Sequence, residues 1–150
     1  MTNKVVFLSI LIIIIFKFVA IGFTELNLYG DEAQYWLWSK SLDLGYYSKP
    51  PLLAWFLSGH TMLFGNSFFS LKLFPIFIYL FIFLSIYKLC LQLSFSKEGS
   101  LFCALSFIVI PATTVSSFLI STDLLLLLFW TMLMTKLLNL RKSGSNLDFL

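Results

Sequence analysis

The sequence predicts an all-α integral membrane protein: four transmembrane helices, with two interfacial helices in a large first outer loop. Three observations predict it. With 59% hydrophobic, 19% aromatic and 11% charged residues, the composition lies far outside that of a soluble domain of this size. The apolar residues gather in runs of spanning length, separated by polar turns. The most polar part of the chain, rich in Tyr and Trp, is one stretch, GDEAQYWLWSKSLDLGYYSKPPLL at 30–53, where packing alone does not call for such residues. The chain reads as a single transmembrane region over 1–150, with spans at about 5–23, 71–93, 100–116 and 123–140 and an outer loop at 24–70.

The first run is apolar except for Ser9 and Lys17, and at about 1.5 Å per residue it nearly crosses a hydrocarbon layer of roughly 30 Å. A secretory signal peptide also starts with a positive residue such as Lys4, but no small-x-small cleavage site follows, so an uncleaved anchor is expected. Lys17 is expected to snorkel toward the outer end. In the loop, the Tyr- and Trp-rich segment 33–42 belongs at headgroup level, because these side chains join an apolar ring to a polar tip. Pro51 suits a helix start, and 52–64 is apolar on most faces yet too short to span; both segments are expected to lie in the interface. Gly65 and Asn66 end the second.

The second span carries Lys72 at its start, Lys88 near its end, and Pro75 in its first turns, where a missing amide costs least. Residues 94–99 form a polar turn. Pro111 kinks or ends the third span, and its freed carbonyl must find a partner. The fourth begins at Asp123, runs through LLLLLFW and closes on Arg141 and Lys142 before a short polar tail.

The net charge of +3 comes from basic residues that flank apolar runs rather than cluster, which points away from nucleic acid. Lys4, Lys88, Lys97, Lys136, Arg141 and Lys142 fall on one side if four spans alternate. The positive-inside rule then puts both termini in the cytoplasm and the first loop outside, with Asp31, Glu32 and Asp123 sharing the outer face. Cys90 and Cys103 lie in apolar runs and are read as core or lipid-facing thiols, not a disulfide. The chain contains no Asn-X-Ser/Thr sequon.

Asp31 and Glu32 are neighbours about 100° apart around a helix, so their roles differ. Asp31 with Gln34 has the form of a capping box, leaving Glu32 to complement the helix dipole; an anchored carboxylate is also a well-placed general base. Lys49, before Pro50 and Pro51, is held in extended backbone, and its ammonium suits a lipid-borne phosphate, though a snorkelling lysine looks the same. Asp123 is either a cap or a second acid facing the same compartment. Two acids and a cation around one cleft suit a divalent metal, an acceptor, or both. His60, on an apolar helix, is read as packing.

GDEAQYWLW, LDLGYYSKPPLLAWF and ISTDLLLLLFW together resemble the start of the GT-C class glycosyltransferases, in particular the aminoarabinose transferase and protein O-mannosyltransferase group. The resemblance covers essentially all 150 residues. It implies transfer of a sugar from a polyprenyl-phosphate carrier to a hydroxyl acceptor at the outer face of a bacterial inner membrane. It also implies Asp31 as catalytic base, Asp123 as a second catalytic acid, and Lys49 on the carrier phosphate, with Glu32 beside it among the substrate-binding residues. Ser48 stands where relatives often carry an acidic context, which disfavours a metal ligand there, and no metal ligand is assigned. Members of the group have many more spans, so this chain alone is expected to be inactive: one half of a split enzyme whose second chain supplies further spans, a decaying gene product, or a truncated piece. The alternative is a non-catalytic four-span scaffold whose loop binds lipid headgroups or a partner.

Overall fold

The computed structural model describes residues 2–23 and 27–143; the first loop residues, 24–26, and the polar tail beyond 143 lie outside it. All regular structure there is helical: α1 Thr2–Gly22, α2 Gly30–Trp38, α3 Leu52–Phe64, α4 Phe68–Gln92, α5 Lys97–Val109, α6 Pro111–Ser116 and α7 Thr122–Ser143. Two of them, α4 and α7, are long and apolar enough to cross a membrane; the apolar parts of α1 and α3, Phe7–Gly22 and Leu52–Phe64, are shorter.

Helix α4 is the central post. Its first half is buried all round, at Leu71, Leu73, Phe74, Ile76, Ile78, Tyr79, Ile82 and Phe83, because α1, α3, α5 and α7 all pack against it. Leu57 of α3, Ala104 of α5 and Leu124 and Leu128 of α7 complete one core with it. Lys72, near the start of α4, bonds the carbonyl of Phe118 just ahead of α7 at 3.1 Å, and Lys142 near the end of α7 bonds the carbonyl of Gln92 at the end of α4. These two helices therefore run parallel, and the 27–67 loop and the 117–121 linker meet at the same end of the bundle.

Local chemistry sets the boundaries. Ser67 caps α4, its hydroxyl accepting the Ser70 amide at 3.1 Å, and Gly65, at φ 81°, supplies the left-handed turn that ends α3. Because α4 starts at Phe68, Pro75 lies inside the helix, a full turn deeper than expected, where it leaves the carbonyl of Leu71 without its helical amide. Pro111 divides the expected third span: Ile110 takes the extended backbone a following proline demands, and Pro111 opens α6. The Thr114 hydroxyl bonds the carbonyl of Ile108, one of those left open in the last turn of α5, at 2.9 Å.

Lys17 departs from expectation. It turns inward, 3% exposed, onto the Ser117 hydroxyl with its ammonium 4.5 Å from the centre of the Phe118 ring. A hydroxyl and a ring face within the bundle stand closer than any headgroup, and the cation takes them. His60 is packing, as read: buried among Phe64, Phe74 and Phe77, it holds the Ser70 carbonyl 2.8 Å from Nε2.

Candidate functional site

The start of α2 is fixed by Glu32, not by Asp31. The helix begins at Gly30 behind Tyr29, so the residue that reaches back to the cap amide is Glu32, whose Oε2 accepts the Tyr29 N–H at 3.0 Å. The Asp31–Gln34 capping box is therefore corrected by two positions, to Tyr29 and Glu32. Glu32 is 2% exposed, and Lys72 donates to its Oε1 and Oε2 at 2.8 and 2.7 Å while the Ile120 amide donates to Oε1 at 2.9 Å. One carboxylate thus ties α2, α4 and the linker into α7 together. Glu32, expected among the substrate contacts, has both oxygens engaged inside the protein.

Turned by one residue, Asp31 faces the other way. Its side chain is exposed and lines a 440 Å³ cavity with Tyr29, Tyr35 and the linker residues Leu119, Ile120 and Ser121. A second cavity, of 420 Å³, lies between the start of α3 and the start of α7 and brings together Lys49, Pro50, Thr122 and Asp123 above an apolar floor of Leu126 and Phe129. The structure therefore joins Lys49 to Asp123 and places Asp31 next door. Consecutive residues of one linker wall both chambers, Ser121 the first and Thr122 the second.

Lys49 reaches its place through the aromatic run. Tyr46 stacks on Trp38 with centroids 4.7 Å apart and planes 12° from parallel, and its hydroxyl lies 3.0 Å from the carbonyls of both Trp38 and Ser41. The Trp55 indole donates to the Asp43 carbonyl at 2.9 Å, and the Tyr46 amide to that of Lys49 at 3.3 Å. These bonds fold 39–51 back on α2 and α3, and Pro50 and Pro51 stiffen its exit.

In the wall of the Asp31 chamber stands Tyr35, 5% exposed and tilted against Trp38 at 5.6 Å. Burial raises its phenol above the ordinary range, and the charges of Asp31 and then Asp123 raise it further. Both acids thus act on one hydroxyl. The side chains of Asp31, Lys49 and Asp123 have no hydrogen-bond partner among the described residues. Among those residues, no three His, Cys, Asp or Glu side chains cluster as a metal site would.

Sequence reasoning passed over Lys72 and Tyr35. For Lys72 a signal existed: a lysine opening an apolar helix needs a buried carboxylate, and Glu32 was on offer. Tyr35 was one ring among many.

The comparisons with known proteins fit this geometry. The family model described as dolichyl-phosphate-mannose-protein mannosyltransferase matches residues 48–150, more than two thirds of the chain, including Lys49, Lys72 and Asp123. The chain belongs to this family. Within it, the resemblance to GT-C glycosyltransferases extends to the lipid A galacturonosyltransferase RgtD of Rhizobium johnstonii, 35% identical over 116 residues. That match covers 77% of this chain and 24% of RgtD, so the chain spans about a quarter of that relative's length. No solved structure matches. Membership of a glycosyltransferase family, together with the apolar helices α4 and α7, makes this a membrane protein of a sugar-transferring lineage.

Proposed function

We propose that the chain takes part in moving a glycosyl group from a polyprenyl-phosphate carrier to a hydroxyl of an acceptor at the outer face of a bacterial inner membrane. The observation that carries this reading is the shared chamber of Lys49 and Asp123, set against the chamber of Asp31 across one linker. In this reading α1, α4, α5–α6 and α7 are four spans, α2 and α3 lie in the interface, and both termini are cytoplasmic.

Asp31, exposed and unengaged, accepts the proton of the acceptor hydroxyl as that oxygen attacks the anomeric carbon. The bond from that carbon to the phosphate oxygen breaks, and the electron pair leaves on the phosphate, whose charge the Lys49 ammonium stabilises. Asp123, in the first turn of α7 just beyond that linker, orients the sugar. Glu32 acts by position: bonded to Lys72 and Ile120, it holds the base and the second acid in register. The apolar floor of the Lys49 chamber suits the first isoprenoid units of the carrier. The family description supplies a mannosyl donor on a lipid phosphate with a protein acceptor, and RgtD supplies a galacturonosyl group with a lipid acceptor. The lipid-phosphate donor in this reading comes from the family description, and transfer of a sugar is common to both.

The test is transfer from a radiolabelled polyprenyl-phosphate sugar, in membranes holding the chain with any partner that supplies further spans. Asp31→Asn is expected to abolish transfer while the protein still inserts. Loss of insertion and transfer together would assign Asp31 to the scaffold instead.

A further inference from the structure

Tyr35 has the features of a substrate contact that neither the family match nor the sequence motifs single out. The ring is buried, against Trp38 on one side and the core on the other, yet it lines the Asp31 chamber with Ser121. No described residue hydrogen-bonds its hydroxyl, and that oxygen is not among the sealed polar atoms of the bundle, so it is open to the chamber. Three groups around it, Asp31, Asp123 and the Lys49 ammonium one chamber away, are charged. The carboxylates only accept, and the ammonium is set aside for phosphate. A sugar lodged between attacker and leaving group presents hydroxyl and ring oxygens that need a neutral donor at that point. Burial, and after it the charges of Asp31 and Asp123, favour the protonated phenol, the form that donates.

We propose that Tyr35 is a sugar-binding residue: from the wall of the Asp31 chamber its hydroxyl donates a hydrogen bond to an oxygen of the glycosyl group being transferred. The proposal rests on the polyprenyl-phosphate reading above and adds to it a contact made with the sugar and not with the lipid phosphate. Tyr35→Phe keeps the ring, and therefore the packing on Trp38, and removes only the donor.

The experiment compares binding of bare decaprenyl phosphate with that of decaprenyl phosphate loaded with mannose or with galacturonate. It uses the purified full chain with its partner segments, wild type against Tyr35→Phe. Loss of one neutral hydrogen bond is expected to weaken a sugar-loaded carrier about 3- to 10-fold while the bare carrier binds as before. Unchanged affinity for both loaded carriers overturns the proposal. An equal loss for bare and loaded carriers also overturns it, because it makes the hydroxyl a support of the cavity wall. If the wild type binds no carrier in either form, the donor reading itself falls, and this assignment with it. Lys49→Ala separates the two ideas further: it is expected to weaken bare and loaded carriers alike.

Discussion

Two charged groupings sit at the same end of the bundle and receive opposite treatment. Glu32 and Lys72 are sealed within it, bonded to each other and to the Tyr29 amide, the Ile120 amide and the Phe118 carbonyl. Asp31, Lys49 and Asp123 line open cavities, and no described residue bonds their side chains. The residue types are the same, a carboxylate and a lysine in each. What separates them is saturation: where the protein fills every lone pair and proton the charges fix geometry, and where it leaves them empty they are available to a ligand. Asp31 and Glu32 show that one helical step decides which fate a carboxylate meets.

The sharpest break in the contrast is at Lys72. Lys72→Met leaves the Glu32 carboxylate buried without its cation and is expected to cost about 3–5 kcal/mol, seen as loss of folded protein in a thermal or detergent unfolding assay. Pairing it with Glu32→Gln should restore part of that stability; no restoration would show that the two groups act independently. Next comes Asp31→Asn, expected to leave the melting temperature alone and to reduce transfer by roughly 10²- to 10⁴-fold, the range for a lost general base. A melting temperature that falls as far as for Lys72→Met would merge the two groupings. Lys49→Ala is expected to weaken carrier binding by about 10- to 100-fold, as for a charge-assisted bond, with the fold kept; unchanged affinity removes it from the site.

The smallest effect belongs to a sealed group that titrates. Burial lowers the His60 pKa below 6.5, with the Ser70 carbonyl opposing it. The folded state therefore resists protonation, the unfolded chain takes up more protons as pH falls, and stability is present above 6.5 and lost on acidification below it. Melting between pH 7.5 and 5.5 should show a drop that His60→Gln reduces; an identical drop in the variant would trace it to other groups.

Much of this architecture was legible. The bounds of α3 follow from Pro51 before an apolar run and Gly65 after it, and the break in the third apolar run follows from Pro111, because backbone chemistry is local. Helix α2 was displaced by three residues at its start because two adjacent acids compete for one cap, and only the position of Lys72 decides between them. The inward turn of Lys17 was hidden for the same kind of reason: Ser117 lies a hundred residues away in sequence, and snorkelling needs no partner at all. Within the site, a common end of the bundle led to the expectation of Asp31, Lys49 and Asp123 around one cleft, whereas Lys49 and Asp123 line one cavity and Asp31 another. That Asp31 opens on a separate chamber, with Tyr35 in the wall, depends on how the 117–122 linker lies over α2, and that is a matter of packing rather than pattern.

The most direct test sets the two neighbours side by side. Asp31→Asn and Glu32→Gln are measured in one preparation for sugar transfer from a polyprenyl-phosphate donor and for thermal unfolding. The account requires Asp31→Asn to lose transfer at an unchanged melting temperature and Glu32→Gln to lose melting temperature. Active, stable Asp31→Asn protein, or a Glu32→Gln protein as stable as wild type, would contradict it.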